Sequence, residues 1–435
     1  MFYGWVIVGV AFLTIMSSMG MWFTFSVFYV EILKEFGWTR AATAGVFLIY
    51  GTVHGLSSPL VGLAVRRWGA RSVIVAGGLI MFAGLALSSR TSSVWQLFLF
   101  LGCIVAAGGA AMGYPPNSAI IANWFERRRG LAMGITFAGN GSGLFFFPKL
   151  SQVLIDAVGW RTAYLYLGLL VLLLVLPMNL LFSRFRPEEK GLTPDGLPPA
   201  PRAARGAPPA AAAPKPVVEW TLRRAFRSLP FWMINASYAL TAVCLQIVMM
   251  HQFAFLTDLG VMRSLAAALI SAVGIASIAG QLLGGSICDR SGSEVAFGVH
   301  AGFLILGLLV LMLIGQAGLI NGVYLYPLLW GLGAGGAGMI VVVASAEIFH
   351  GPNFAAVAGY HSLAWGIGGG IGPIFAGWIY DLTRSYQSAF LAAVLLALAG
   401  TAAVWLAAPR SYRQARTLAA GSQAVTQAPA AEKAG

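Results

Sequence analysis

The sequence predicts an all-α polytopic membrane protein, with twelve transmembrane helices in two six-helix bundles. Three observations predict it. Of 435 residues, 58% are hydrophobic and only 9% charged, whereas a soluble domain carries about 25% charge. Apolar stretches recur from end to end, each close to the ~20 residues that cross a bilayer core of roughly 30 Å. A polar loop is also repeated half a chain apart. Gly62-Leu-Ala-Val-Arg66-Arg67-Trp-Gly69 and Gly285-Ser-Ile-Cys-Asp289-Arg290-Ser-Gly292 both read Gly-x-x-x-(Asp/Arg)-Arg-x-Gly, 223 residues apart. Alternating segments of about 10 residues, the mark of a membrane β-barrel, are absent.

In order, the spans run over 5–29, 42–64, 72–89, 94–122, 130–156, 162–182, 230–256, 265–287, 295–316, 321–348, 354–379 and 387–408. The first is read as a retained helix. It is long, ends in Glu31-Ile-Leu-Lys34-Glu35 and lacks the basic n-region of a cleaved signal. Span 4 is broken in its inner half by Tyr114-Pro115-Pro116-Asn117. The expected organisation is a bundle over 1–182, a linker over 183–229, a second bundle over 230–408 and a disordered tail over 409–435. The linker stretch 198–216 is rich in Pro and Ala and reads as flexible. After it, Trp220, Leu222 and Phe226 alternate with Arg223, Arg224 and Arg227 as in a short interfacial helix.

Twelve spans put both termini on one side. Of the 27 Lys and Arg, twenty lie in the loops and tail of that side, six in the opposite loops, and Lys149 inside a span. The positive-inside rule then makes that side cytoplasmic, in the cell inner membrane. The net charge of +13 is therefore a topology signal and calls for no nucleic-acid partner. Cys103, Cys244 and Cys288 lack metal-ligand spacing and read as small packing residues. Gly139-Asn-Gly141-Ser-Gly143 and Gly331-x-Gly333-x-x-Gly336 imitate phosphate loops. No strand precedes them and no Gly-Lys-Ser/Thr follows, so they read as surfaces for close helix packing. No cofactor or metal is expected.

A second pair of loops extends the repeat. Asp156-Ala-Val-Gly-Trp160-Arg161-x-Ala-Tyr164 opens span 6, and Asp381-Leu-Thr-Arg384-Ser-Tyr386-x-Ser-Ala-Phe390 opens span 12. The repeat is parallel, six spans onto six. Such symmetry belongs to transporters that rock two halves about a site at the membrane midplane.

On the two Gly-x-x-x-(Asp/Arg)-Arg-x-Gly loops, the chain resembles the major facilitator superfamily over nearly its whole length. Further stretches resemble its monocarboxylate-porter branch, which includes the oxalate:formate antiporter. These are Glu35-Phe-Gly-Trp38-Thr-Arg40, Asn123-Trp124-Phe125-x-x-Arg128-Arg129-Gly130-x-Ala132-x-Gly134, Gly159-Trp160-Arg161, and His251-x-x-x-x-Leu-x-Asp258-x-Gly260. The resemblance implies a gating role for Gly62, Arg66, Arg67, Gly69, Gly285, Asp289, Arg290 and Gly292. There are two departures. The first loop has Arg66 where the family pattern has an acid. Span 8 has Gly280-Gln281 where the branch has an arginine after the glycine.

A charge at the bilayer centre costs roughly 3 kcal/mol or more, so each polar residue inside a span needs a reason. Lys149 is read either as a snorkelling lysine or as the cationic anchor of an anionic substrate. Its place in the outer half of span 5 allows both. His251, in span 7, is the candidate proton-coupling and substrate-binding residue, because histidine titrates near neutrality. The alternative is a histidine satisfied by interhelical bonds. Gln281, Asn117 and Tyr114 are candidate substrate donors, weighed against helix–helix hydrogen bonding and kink geometry. Tyr360, Asn140 and Tyr326 are weaker candidates. His361, His54 and His300 read as structural. Glu347 and His350 are expected to face the 4–5 loop arginines as an inner gate.

The function expected is secondary active transport of a small organic anion, a monocarboxylate first, with a proton. It proceeds by alternating access of a monomer in the lipid bilayer. A proton-driven exporter of amphipathic compounds is the alternative, suggested by Met21, Trp22, Met249 and Met250. An enzyme is not expected: no catalytic pair sits at midplane, and no soluble signalling domain supports a sensor.

Overall fold

The computed structural model describes residues 2–37, 40–196, 220–317 and 320–414. Trp38, the Pro- and Ala-rich linker stretch and the tail beyond 414 lie outside the described residues. Every regular element among those described is helical. The first half contains α1 (Gly4–Phe36), α2 (Arg40–Trp68), α3 (Ala70–Ser88) and α4 (Val94–Trp124). A 54-residue helix, Arg129–Phe182, follows. A straight helix of that length would reach about 80 Å, more than twice a bilayer core. It breaks at Gly159, with φ 78 and ψ 157, into α5 (129–158) and α6 (160–182). The second half contains α7 (Leu229–Asp258), α8 (Arg263–Ser291), α9 (Ser293–Ala317), α10 (Leu325–Ile348), α11 (Phe354–Thr383) and α12 (Gln387–Ala407). Eleven helices among the described residues are long and apolar enough to cross a membrane. The break at Gly159 divides one of them, and the count is twelve.

Backbone geometry repeats where the sequence does. Gly69 (φ 79) and Gly292 (φ 97), the last glycines of the two echoing loops, both occupy the left-handed region. Glycine enters it without steric cost, and there the chain reverses from α2 into α3 and from α8 into α9. The second loop pair matches only in the sign of φ: Gly159 before α6 has φ 78 and ψ 157, and Arg384 before α12 has φ 54 and ψ 25.

The break in α4 falls one residue before the predicted motif. Gly113 is extended, with φ −79 and ψ −150, and Tyr114 begins a new helical segment. Pro115 and Pro116 thus occupy a first helical turn, where the missing N–H is no loss. Leu222–Phe226 forms the short helix expected near the linker. Its Phe226 packs on Phe231 at 4.8 Å, and Trp220 just before it is buried, with its ring 4.8 Å from Phe349.

Two contacts join the halves along their length, α2 against α11 and α5 against α8. Both are glycine-lined. A side chain at Gly62 would run into the backbone of Ala355 and Ala356, and one at Gly359 into Ser58 and Pro59. Gly130 faces Gly285, and Gly134 lies under the Gln281 carbonyl.

Candidate functional site between the two halves

The seam is tight where the two echoing loops lie and loosens away from them. Gly62 meets α11 backbone directly, whereas a Cβ on Gly55 would lie 3.8 Å from the Gly366 Cα. One turn beyond Gly366, a Cβ on Gly370 would meet nothing within 4 Å. The halves are thus joined at the loop end and part toward the other.

At the joined end, Asp289 reaches across from α8. Its Oδ1 accepts from the Gly130 N–H (2.7 Å) and its Oδ2 from the Leu131 N–H (2.9 Å). A carboxylate therefore caps the N-terminus of α5, where free N–H groups and the helix dipole both favour an anion. Beside it, buried Arg129 donates to Phe125 O (3.1 Å), Ala122 O (3.3 Å) and, on α10, Ala346 O (3.2 Å). That last bond is a second polar link between halves. Arg66, the counterpart of Asp289, is exposed, as are Arg67 and Arg290. Arg67 sits over the Trp68 ring at 5.5 Å. The Glu347 carboxylate accepts from Ser293 (2.7 Å) and Arg413 (3.3 Å). Arg129 of the 4–5 loop thus reaches the Ala346 carbonyl beside Glu347, and Glu347 also anchors the segment after α12.

The predicted binding residues divide into groups. Asn117 is buried, and its amide donates to Met112 O (2.8 Å) and Gly113 O (2.7 Å). Those are carbonyls left open by the break and the prolines. Both its donors hold the kink, and its Oδ1 finds no partner among the described residues. Tyr114 packs edge-on to Phe137 of α5, 4.9 Å between centroids. In the second half, Tyr238 of α7 packs on Trp365 of α11 at 4.9 Å. Tyr238 was missed from sequence, where a lone tyrosine in an apolar span gives no signal. The buried Oδ1 of Asn140 and Oε1 of Gln281 are both unpartnered among the described residues. Gln281 is buried against α5.

The remaining predictions lie elsewhere. Tyr326 is buried and donates to the Oε1 of Gln252 at 2.5 Å, a contact between α10 and α7 that occupies its hydroxyl. Tyr360 packs on Phe226 at 4.9 Å, at the loop end. His251 is engaged on both ring nitrogens within the second half. Nε2 lies 3.1 Å from Pro373 O and Nδ1 3.3 Å from the Tyr386 hydroxyl. A carbonyl only accepts, so Nε2 carries a proton and Nδ1 faces the hydroxyl. This is the interhelical arrangement given as the alternative for His251. Lys149 is exposed, and its ammonium lies 4.1 Å from the Phe145 ring centroid. Phe145 and Phe146 beside it are themselves exposed. Lys149 lies two helical turns beyond Gly141, a position that faces Ile278 of α8, so both readings given for it stand. His361 bonds Ser345 at 2.7 Å, a structural contact. Met21 and Trp22 line a small apolar cavity inside the first half with Phe25, Phe47 and Tyr50, whereas Met249 and Met250 are exposed on α7. These four do not form one cavity.

The match to a family model, Major Facilitator Superfamily, covers residues 10–350. The chain belongs to the Major Facilitator Superfamily, whose members are carriers and not enzymes. Within it, the chain is similar to monocarboxylate transporters. It is 26% identical to Monocarboxylate transporter 13 of Bos taurus, over 92% of this chain and 88% of that one. It is 27% identical to Monocarboxylate transporter 11 of Mus musculus, over 94% and 88%. Among solved structures it is similar in fold to the transporter FucP in the outward conformation (TM-score 0.68, 14% identity, 93% of this chain and 99% of that one). A second is the human organic anion transporter MFSD10 (TM-score 0.67, 16% identity, 93% and 99%).

Proposed function

We propose that this carrier moves a small organic anion, a monocarboxylate first, together with a proton, by alternating access of its two halves. The observation that carries the transport cycle is the seam, capped by Asp289 at one end and loosening toward the other. With the positive-inside bias of the loops, we read the capped end as cytoplasmic, the state as outward-facing, and the protein as a monomer of the cell inner membrane. The substrate class rests on the similarity to monocarboxylate transporters over about nine-tenths of the chain. Proton coupling is supported by the chemistry of the seam. Gln281, a neutral donor, stands where the branch has an arginine, so a carboxylate beside it lacks that fixed counter-charge. An uncompensated charge there is costly. A proton moving with the anion removes that cost.

The exporter reading has weaker support, because Met249 and Met250 do not join Met21 and Trp22. Uptake of labelled lactate and pyruvate into proteoliposomes, with and without a pH gradient, tests the proposal. Uptake stimulated by an acid exterior is expected. Transport of neither acid, with export of lipophilic dyes instead, overturns it.

A further inference from the structure

We propose that the coupling proton binds at His54, in a polar pocket made by α2 against the break in α4. The inference rests on the proton-coupled reading above and names its residue. Three observations support it.

The first is position. His54 is the midpoint of α2, Arg40–Trp68. The next residue, Gly55, faces Gly366 and Leu363 of α11, where the seam passes from tight to loose. A charge gained or lost at His54 therefore arises where the two halves separate.

The second is unused bonding capacity. The Nε2 of His54 is enclosed and finds no hydrogen-bond partner among the described residues. It points toward Gly113, 3.7 Å from where a Cβ would stand. Its ring is stacked with Tyr50 at 6.1 Å between centroids and 13° between planes. The Tyr50 hydroxyl, against Gly109, is also buried and without a partner, as is the Oδ1 of Asn117 on the far side of the break. Donor and acceptor atoms left open together around one helix break are uncommon in a buried site, where the great majority are paired. By contrast, the carbonyls of the break are satisfied: Ser18 donates to Gly109 O (3.0 Å) and Asn117 to Met112 O and Gly113 O.

The third is the contrast with the other histidines. His251 holds Pro373 and Tyr386, His361 holds Ser345, and His300 lies 2.9 Å from both Ala296 O and Gly280 O. Each ties helices of the second half. His54 alone among these four has a buried ring nitrogen and no hydrogen bond at either one.

Around His54, Tyr50 lies on its own helix, and Tyr114 follows Gly113 on α4. The neighbouring Gly55 faces Gly366 and Leu363 of α11. From α1, Trp22 packs on Tyr50 at 4.3 Å and Ser18 bonds Gly109 O. Among the described residues, no ion pair or hydrogen bond links a carboxylate or a cation to the ring. A proton taken up here has no fixed counter-ion, and an anionic substrate in the seam would supply one. Loading of proton and anion would then reinforce each other.

The test uses the full chain in proteoliposomes with labelled lactate. Two assays are compared, accumulation driven by an acid-outside gradient and counterflow exchange without a gradient. One proton per anion lets a one-unit gradient hold about a ten-fold lactate gradient. His54→Gln should lose that accumulation yet retain exchange, and His251→Gln should keep both. Accumulation by His54→Gln at the wild-type level overturns the inference and leaves symport intact. A wild type that exchanges but never accumulates overturns symport and the inference with it. If lactate is not exchanged, or His54→Gln is inert in both assays, ring-15N histidine NMR of the wild type in nanodiscs decides. The signal absent from His54→Gln should titrate. A His54 signal unchanged between about pH 4 and 9 overturns the assignment.

Discussion

Asp289 holds two N–H groups in the first turn of α5, those of Gly130 and Leu131, from the opposite half of the protein. The pseudo-equivalent contact is different in kind. Gly62 meets α11 at Ala355 and Ala356 as Gly285 meets α5 at Gly130 and Leu131, but four residues on stands Arg66. A cation opposite a helix N-terminus gains nothing from its dipole. The first turn of α11 is closed by its own loop instead, through Ala356 N–H to Asn353 O (3.1 Å) and Val357 N–H to Asn353 O (3.1 Å).

Removing the Asp289 carboxylate should therefore weaken the joined state much more than removing Arg66. Hydrogen bonds to a charged group contribute about 2 kcal/mol net, which shifts the balance of states roughly thirty-fold. Asp289→Ala is expected to slow transport and raise labelling of cysteines introduced at the loop end of the seam. Arg66→Gln should change both less than about two-fold. Equal effects from the two substitutions would remove the asymmetry from the mechanism.

The glycines of the seam should tolerate a methyl group according to place. At Gly134 an added Cβ would stand 2.6 Å from the Gln281 carbonyl, and at Gly370 it would meet nothing. Gly134→Ala should cut transport several-fold while the protein still reaches the membrane, and Gly370→Ala should leave transport unchanged. Measured uptake normalised to membrane protein checks this, and a damaging Gly370→Ala would contradict the described seam.

Lys149→Gln is expected to keep expression, and its uptake separates the two readings of that side chain. The side chain is exposed beside Phe145, and substitutions at exposed positions usually stay within about 0.5 kcal/mol. Abolished uptake at normal expression would place Lys149 on the substrate path, and retained uptake would leave it a snorkelling lysine.

Tyr326→Phe removes the donor to Gln252 and strands a buried acceptor. Such a loss costs about 1–3 kcal/mol, so the thermal midpoint in detergent should fall. Adding Gln252→Leu should recover part of it. An unchanged midpoint for the single variant would argue that the Tyr326–Gln252 bond has no energetic weight.

Legibility from sequence varied with the physics behind each feature. Asp289 was found because the echo with Arg66 isolated it. The break in α4 was anticipated from Pro115 and Pro116, one residue late, because the extended residue is Gly113 and the prolines only begin the next turn. Lys149 and His251 were singled out by residue type at a plausible depth. Depth does not say which face of a helix a side chain occupies, or which carbonyls neighbouring helices offer. His54 was set aside for the same reason, since its surroundings are supplied by α4 and α11, not by its own helix.

The sequence by itself determined the membrane class, the twelve spans and the twofold repeat. These depend on apolar length, loop charge and turn chemistry, all local properties of the chain. Only the tertiary structure decided which polar groups are already occupied and which are open. Among the described residues, it satisfies His251, Tyr326 and the Asn117 donors, and leaves atoms of His54, Tyr50, Asn117 and Gln281 unpartnered. Hydrogen-bond satisfaction inside a membrane depends on atoms brought together from distant parts of the chain, a few ångströms apart, and no spacing along one helix encodes that.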